Sequence, residues 1–118
     1  DSYDQAITVI RRAVDEDPES QEYMACLGAI LLRAGDFAEA KKVLSAAMDL
    51  EPSESTSATY APYLMAMTQW QLGEREAAVV TLKLANRRAE EELTGSIRWT
   101  RELTIRILQR EAEQLITP

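Results

Sequence analysis

Residues 21–54, QEYMACLGAILLRAGDFAEAKKVLSAAMDLEPSE, carry the pattern that decides the fold. Apolar side chains recur at Tyr23, Met24, Leu27, Ile30, Leu31 and Ala34, and again at Phe37, Ala40, Val43, Leu44, Ala47 and Met48. Spacings of three and four mark one face of an α-helix, so the stretch reads as two amphipathic helices. Ser20 stands where an N-cap belongs. Gly35 suits the left-handed position that ends a helix, and Asp36 with Glu39 three residues on forms a capping-box pattern for the next. Pro52 stops that second helix. Two amphipathic helices joined by so short a turn make an antiparallel hairpin, and its outer faces need further cover.

Working outward, the flanks look like modified copies. Upstream, Ser2 with Gln5 predicts a capped helix over residues 3–15, with Ala6, Ile10, Ala13 and Val14 as its buried stripe and Val9 beside them. Pro18 ends it. Asp15, Glu16 and Asp17 read as a solvated turn, although acids at a helix C-terminus oppose the macrodipole. Downstream, Gly73 follows Gly35 by 38 residues, so about four are inserted relative to a 34-residue unit, and residues 53–59 absorb them as a solvated loop. Residues 60–72 then form a first helix, with Pro62 tolerable in its first turn and Ala66 in the slot of Gly28. From Glu74 a second helix runs to Leu93, with Ala78, Leu82 and Ala85 matching Ala40, Leu44 and Ala47, and with Glu74 and Glu76 facing its positive end. Thr94-Gly95-Ser96 breaks the chain. A last helix reaches about Ile116, with a stripe of Ile105, Leu108, Ala112 and Leu115, Leu103 and Ile107 alongside, and a polar remainder that suits a cap.

The spacings between copies are regular. Pro18 and Pro52 lie 34 residues apart, as do Tyr3 and Phe37, Ala6 and Ala40, Ile10 and Leu44, and Ala13 and Ala47. That period, with Leu27-Gly28, Phe37, Ala40, Ala47 and Pro52 in their slots, resembles the tetratricopeptide repeat family. Met24 and Leu31 stand where the family's usual aromatics would be. The resemblance implies an all-α, right-handed stack of helical hairpins, about six helices in one domain spanning residues 1–118. Residues 1–20 are then the second helix of a truncated repeat, 21–54 a complete repeat, 55–94 a modified repeat with an insertion, and 95–118 a capping helix. MAMTQWQLG at residues 65–73, followed by a capping helix that ends REAEQLI, is also similar to the last repeats of some bacterial multidomain serine/threonine kinases, which implies the tail of a larger signalling protein. The chain has no kinase Gly-rich loop, HRD-type catalytic loop or DFG.

Composition narrows the function. Of 118 residues 46% are apolar, with only four Gly and four Pro, which suits a packed helical domain rather than a disordered one. No apolar run approaches the roughly 20 residues needed to span a bilayer. The opening DSYDQ is no signal peptide, and the missing initiator Met points to an excised or processed piece. One cysteine, Cys26, allows no internal disulfide and suggests a reducing, cytoplasmic setting. Residues 1–59 hold twelve acids and five bases, a net −7, while residues 60–118 hold eight of each. An acidic first half argues against nucleic acid, which binds through Lys and Arg contacts that release counterions. The chain has no histidine, hence no Ser-His or Cys-His pair and not the commonest zinc ligand. Cys26 reads as a buried structural thiol, and Glu90-Glu91-Glu92 as a solvated helix end whose carboxylates fan apart. No catalysis, cofactor or metal is expected.

The expected function is protein–protein interaction, with a protein or peptide as partner and no nucleic acid or membrane. Tyr60, Tyr63, Met67 and Trp70 recur along one helix at spacings of three and four, and the matching positions of the previous unit are Glu22, Ala25, Ala29 and Leu32, with Arg33 next. By resemblance these first helices line a concave groove that receives a peptide or helix, and Tyr, Met and Trp are good hot-spot residues. The competing reading is that the chain's own cap covers the aromatic stripe. Clamping of a C-terminal carboxylate, a function of some family members, is disfavoured, because Ala25, Ala29, Tyr63 and Met67 stand where Lys, Asn and Arg would be needed. Arg87, Arg88, Arg98 and Arg101 could receive an acidic segment, such as the front half of another copy. The second function class is structural: self-association as a homodimer through Ala6, Ile10 and Ala13, unless further upstream repeats cover that face.

Overall fold

A computed structural model describes residues 3–50, 59–94 and 99–116. Among these residues the chain is all α, with six helices in the order α1 (Asp4–Glu16), α2 (Gln21–Ala34), α3 (Phe37–Met48), α4 (Tyr60–Gln71), α5 (Arg75–Leu93) and α6 (Trp99–Leu115). The helices pair as hairpins, α2 with α3 and α4 with α5; α3 packs on α4, α1 lies against α2, and α6 folds back over α4.

Both hairpin turns are built the same way. Gly35 and Gly73 have φ of 86° and 84°, the left-handed region that a Cβ disfavours. The Asp36 amide donates to the Leu31 carbonyl at 2.9 Å and the Gly35 amide to Leu32 at 3.1 Å, the paired bonds of a Schellman cap. Glu74 to Gln69 and Gly73 to Trp70 repeat the arrangement at 2.9 and 3.1 Å. This corrects the expected capping box. Asp36 does accept from the Glu39 amide, at 3.4 Å, but its own amide is already committed to Leu31 and so is not offered to the Glu39 side chain. Glu74, unlike Asp36, makes no side-chain cap bond to its helix; its carboxylate pairs instead with Lys41 of α3 at 2.8 Å. Ser20 caps α2 as expected, accepting from the Tyr23 amide at 3.1 Å. Ser2, Pro52, residues 53–58, the Gly95-Ser96 break and Arg98 lie outside the described residues.

The small slots have a clear packing reason. A Cβ placed on Gly28 would overlap the Leu44 side chain, which is itself fully buried. Ala40, Ala47, Ala78 and Ala85 are fully buried where helices cross. The main core joins Leu27, Leu31 and Leu44 to Tyr63, Met67, Ile105 and Leu108, so α6 belongs to it. Leu103 and Ile107 of that helix remain exposed. α1 is the exception. It has no fully buried residue; among the described residues α2 is the only helix packed on it, so Ile7, Ile10 and Val14 reach the core while Ala6 and Ala13 are half-open.

Two polar residues tie the stack together. Gln21, almost fully buried at the start of α2, donates to the Ala47 and Leu50 carbonyls at 2.8 and 3.0 Å, pinning the start of α2 to the end of α3. Glu92 accepts from the buried Thr59 hydroxyl at 2.9 Å, beside the start of α4. The acidic run at 90–92 is therefore not simply solvated. The extra turns of α5 carry Glu92 to the positive end of α4, where a carboxylate is stabilised.

Candidate functional site: a cleft between two first helices and the cap

An open, mainly apolar cleft of about 270 Å³ is lined by Glu22, Ala25, Cys26, Ala29, Arg33, Tyr60, Leu64, Thr104 and Leu108. Its walls follow a rule. Each of α2, α4 and α6 contributes a pair four residues apart: Glu22 and Cys26, Tyr60 and Leu64, Thr104 and Leu108. Residues four apart stack on one helix face, so the three helices each turn that face to the same space. Ala25 and Ala29 form the α2 floor, and their short side chains leave the room.

Around the cleft, burial and charge set the titration of its polar groups. Burial raises the Tyr60 phenol above its ordinary value, and the Glu92 carboxylate adds to this; a hydrogen bond with Thr104 and the Arg101 charge act in the opposite sense. Burial and then the Glu22 carboxylate push the Cys26 thiol up, away from the reactive thiolate. Cys26 is exposed, which corrects the expectation of a buried thiol. One residue before Leu27 it is turned about 100° from the core-facing side of the helix, and so stands in the cleft wall.

The expected groove residues are divided among several places. Ala25, Ala29, Arg33 and Tyr60 line the cleft. Leu32 and Met67 border a second depression of about 310 Å³, with Arg33, Phe37, Gln71, Glu111 and Leu115. Both are buried, Met67 almost completely. Tyr63 is enclosed: its hydroxyl donates to Asn86 Oδ1 at 2.7 Å, the same atom receives Gln109 Nε2 at 3.1 Å, and burial pushes its phenol up to about 12. Trp70 packs with Ala66, Ala78 and Ile116 at one end of the stack, its ring under the Arg75 guanidinium at 4.5 Å. Arg33 borders both depressions and reaches across to Glu111 of α6 at 3.0 Å. Leu64, Cys26, Thr104 and Leu108 were not among the expected groove residues.

Residues 1–59 match the family model for the tetratricopeptide repeat. The chain belongs to the tetratricopeptide repeat family. No curated protein and no solved structure matches it. Tetratricopeptide repeats are interaction modules, typically without catalysis, which makes protein the partner class for this chain. The match ends at Thr59, and no comparison supports the likeness of the second half to kinase tails. No helix among the described residues is long and apolar enough to cross a membrane, and no group of three or more Cys, Asp or Glu side chains there is placed to hold a metal.

Proposed function

We propose that this tetratricopeptide repeat domain is a non-catalytic adaptor that takes a bulky apolar side chain of a partner peptide or helix into the α2–α4–α6 cleft. The observation that carries the reading is the convergence of the three residue pairs on one open apolar space. Its size suits the role: a cavity of about 150 Å³ already accommodates a benzene ring, so 270 Å³ holds a Phe, Trp or Leu side chain with room for its helix to approach. Three alternating walls from a rigid stack preorganise the site, which lowers the ordering cost of binding. The partner segment is expected to be basic overall, because residues 1–59 carry a net −7.

A displayed library of random peptides, selected in parallel on wild type and on Ala29→Trp, tests the reading. Ala29 is partly exposed on the cleft floor at the edge of the core, so the indole fills the cleft, and circular dichroism checks that the variant is folded. Wild type should enrich apolar-anchored, basic sequences that Ala29→Trp does not hold. Equal retention of the selected peptides by a folded Ala29→Trp would show that they bind elsewhere and would overturn the assignment.

A further inference from the structure

The cleft and the second depression are two halves of one groove. Glu22, Cys26, Ala29 and Arg33 stand along α2 at steps of four, three and four residues. α4 repeats those steps from Tyr60 to Gln71, and α6 from Thr104 to Leu115. Such steps keep to one face of a helix, so three faces lie side by side. On α4 and α6 the first pair of each face lines the cleft, and the second pair, seven residues on, lines the second depression. Seven residues of helix rise about 10 Å. What divides the groove is the Arg33–Glu111 ion pair, 3.0 Å long, which joins α2 to α6 with α4 between them.

That crossbar is easily parted. Both side chains are 41% exposed, and a pair so open to water contributes little to stability. Its two charges cancel, and Glu22, the other charged residue of the groove, stands about 16 Å along α2 from Arg33, beyond the reach of screened charge. Apart from the bar, the second depression is mainly apolar, with Phe37, Met67 and Leu115 in its walls. A segment that fills both halves has to set two apolar groups about 10 Å apart on one side of its chain. A strand does not, because its same-face residues recur at roughly 7 and 13 Å. A helix does: seven residues bring it within about 20° of two full turns. Positions i+3 and i+4 then fall between the two anchors, one to each side of the line joining them.

We infer that the partner is an amphipathic helix with large apolar residues at i and i+7, one in each half of the groove, and an acid and a base at i+3 and i+4. The acid takes Arg33 on the α2 side and the base takes Glu111 on the α6 side. The incoming helix so replaces the ion pair that it parts, and neither charge is left unmatched. This rests on the cleft being the binding site, and adds to it a second anchor, a spacing and the central charges.

A displayed library of helix-forming peptides, selected on wild type, tests the inference. Selected peptides should carry apolar residues at i and i+7 with opposite charges between them. Replacing either anchor by Ala should weaken binding about tenfold or more. Gln71→Trp, at an exposed position that borders only the second depression, should cost the intact peptide the same factor and leave a peptide without the second anchor unaffected. Arg33→Gln should remove the preference for the acid, and helical circular dichroism checks that each variant is folded. Peptides that Ala29→Trp releases, but that bind equally well to Gln71→Trp and without a second anchor, would keep the cleft and overturn the two-anchor helix. Enrichment of another spacing overturns it as well. Peptides that neither variant releases overturn it together with the cleft.

Discussion

Gly28 has no room for a side chain, and that single contact fixes how closely α2 approaches α3. Its β-carbon would overlap Leu44, which is buried on all sides and has little space to retreat. Ala favours a helix over Gly by about 1 kcal/mol, but overpacking a tight core costs about 1–3 kcal/mol, so Gly28→Ala should lose roughly 1 kcal/mol net in chemical denaturation. In a Leu44→Ala background the new methyl has space, and the same change should become neutral or stabilising. Gly35→Ala meets no neighbour within 4 Å, yet it forces a Cβ into the left-handed region and should cost about 1–2 kcal/mol. Tyr63 gives a pH signature. Its phenol is held to about 12 in the folded chain against an ordinary value of 10, so the folded state keeps the proton more tightly than the unfolded state. The stabilising contribution is complete below pH 10 and is lost as pH rises from 10 through 12. Denaturation midpoints measured over this range should fall more steeply for wild type than for Tyr63→Phe; parallel curves would contradict the enclosed phenol.

At the scale of elements, the hairpins were legible because each boundary has a local cause. Gly35 and Gly73 can hold the left-handed turn, Ser20 caps α2, and Pro62 sits in the first turn of α4 where no amide is needed. Glu92 escaped the reading because its partner, Thr59, lies 33 residues away and meets it only after the chain folds. α6 was half legible. Its stripe of Ile105, Leu108 and Ala112 is buried as expected, but Leu103 and Ile107 fall on the opposite side of the wheel and stay exposed. That division predicts a sharp asymmetry between neighbours. Ile105→Ala should cost about 2–5 kcal/mol by leaving a cavity under the cap, whereas Ile107→Ala should change monomer stability by no more than about 0.5 kcal/mol. Similar losses at both positions, in thermal or urea unfolding at low protein concentration, would contradict the observed packing of α6.

For the whole molecule, the stack could be read from its 34-residue period, but the site could not. Tyr60, Tyr63, Met67 and Trp70 look like one stripe, yet at about 100° per residue Trp70 ends roughly 80° around the helix from Tyr60. That drift carries Trp70 away to Ala78 and Arg75, and turns Tyr63 toward Asn86 and Gln109, while Leu64 stays beside Tyr60 in the cleft. The slot pairs 22/26 and 60/64 differ by the same 38 residues as Gly35 and Gly73, so two of the three walls had a signal in the sequence. The third did not: Thr104 and Leu108 come a further 44 residues on, after a break of no fixed length. If partners bind in this cleft, Cys26, the chain's one cysteine, stands in its wall as a built-in reporter. The most direct measurement is the alkylation rate of Cys26 with and without a saturating peptide selected on wild type. Bound peptide should slow alkylation severalfold, and Ala29→Trp, which should not bind it, should show no change on peptide addition; an unchanged rate in the saturated wild type would place the peptide elsewhere and rule out the cleft.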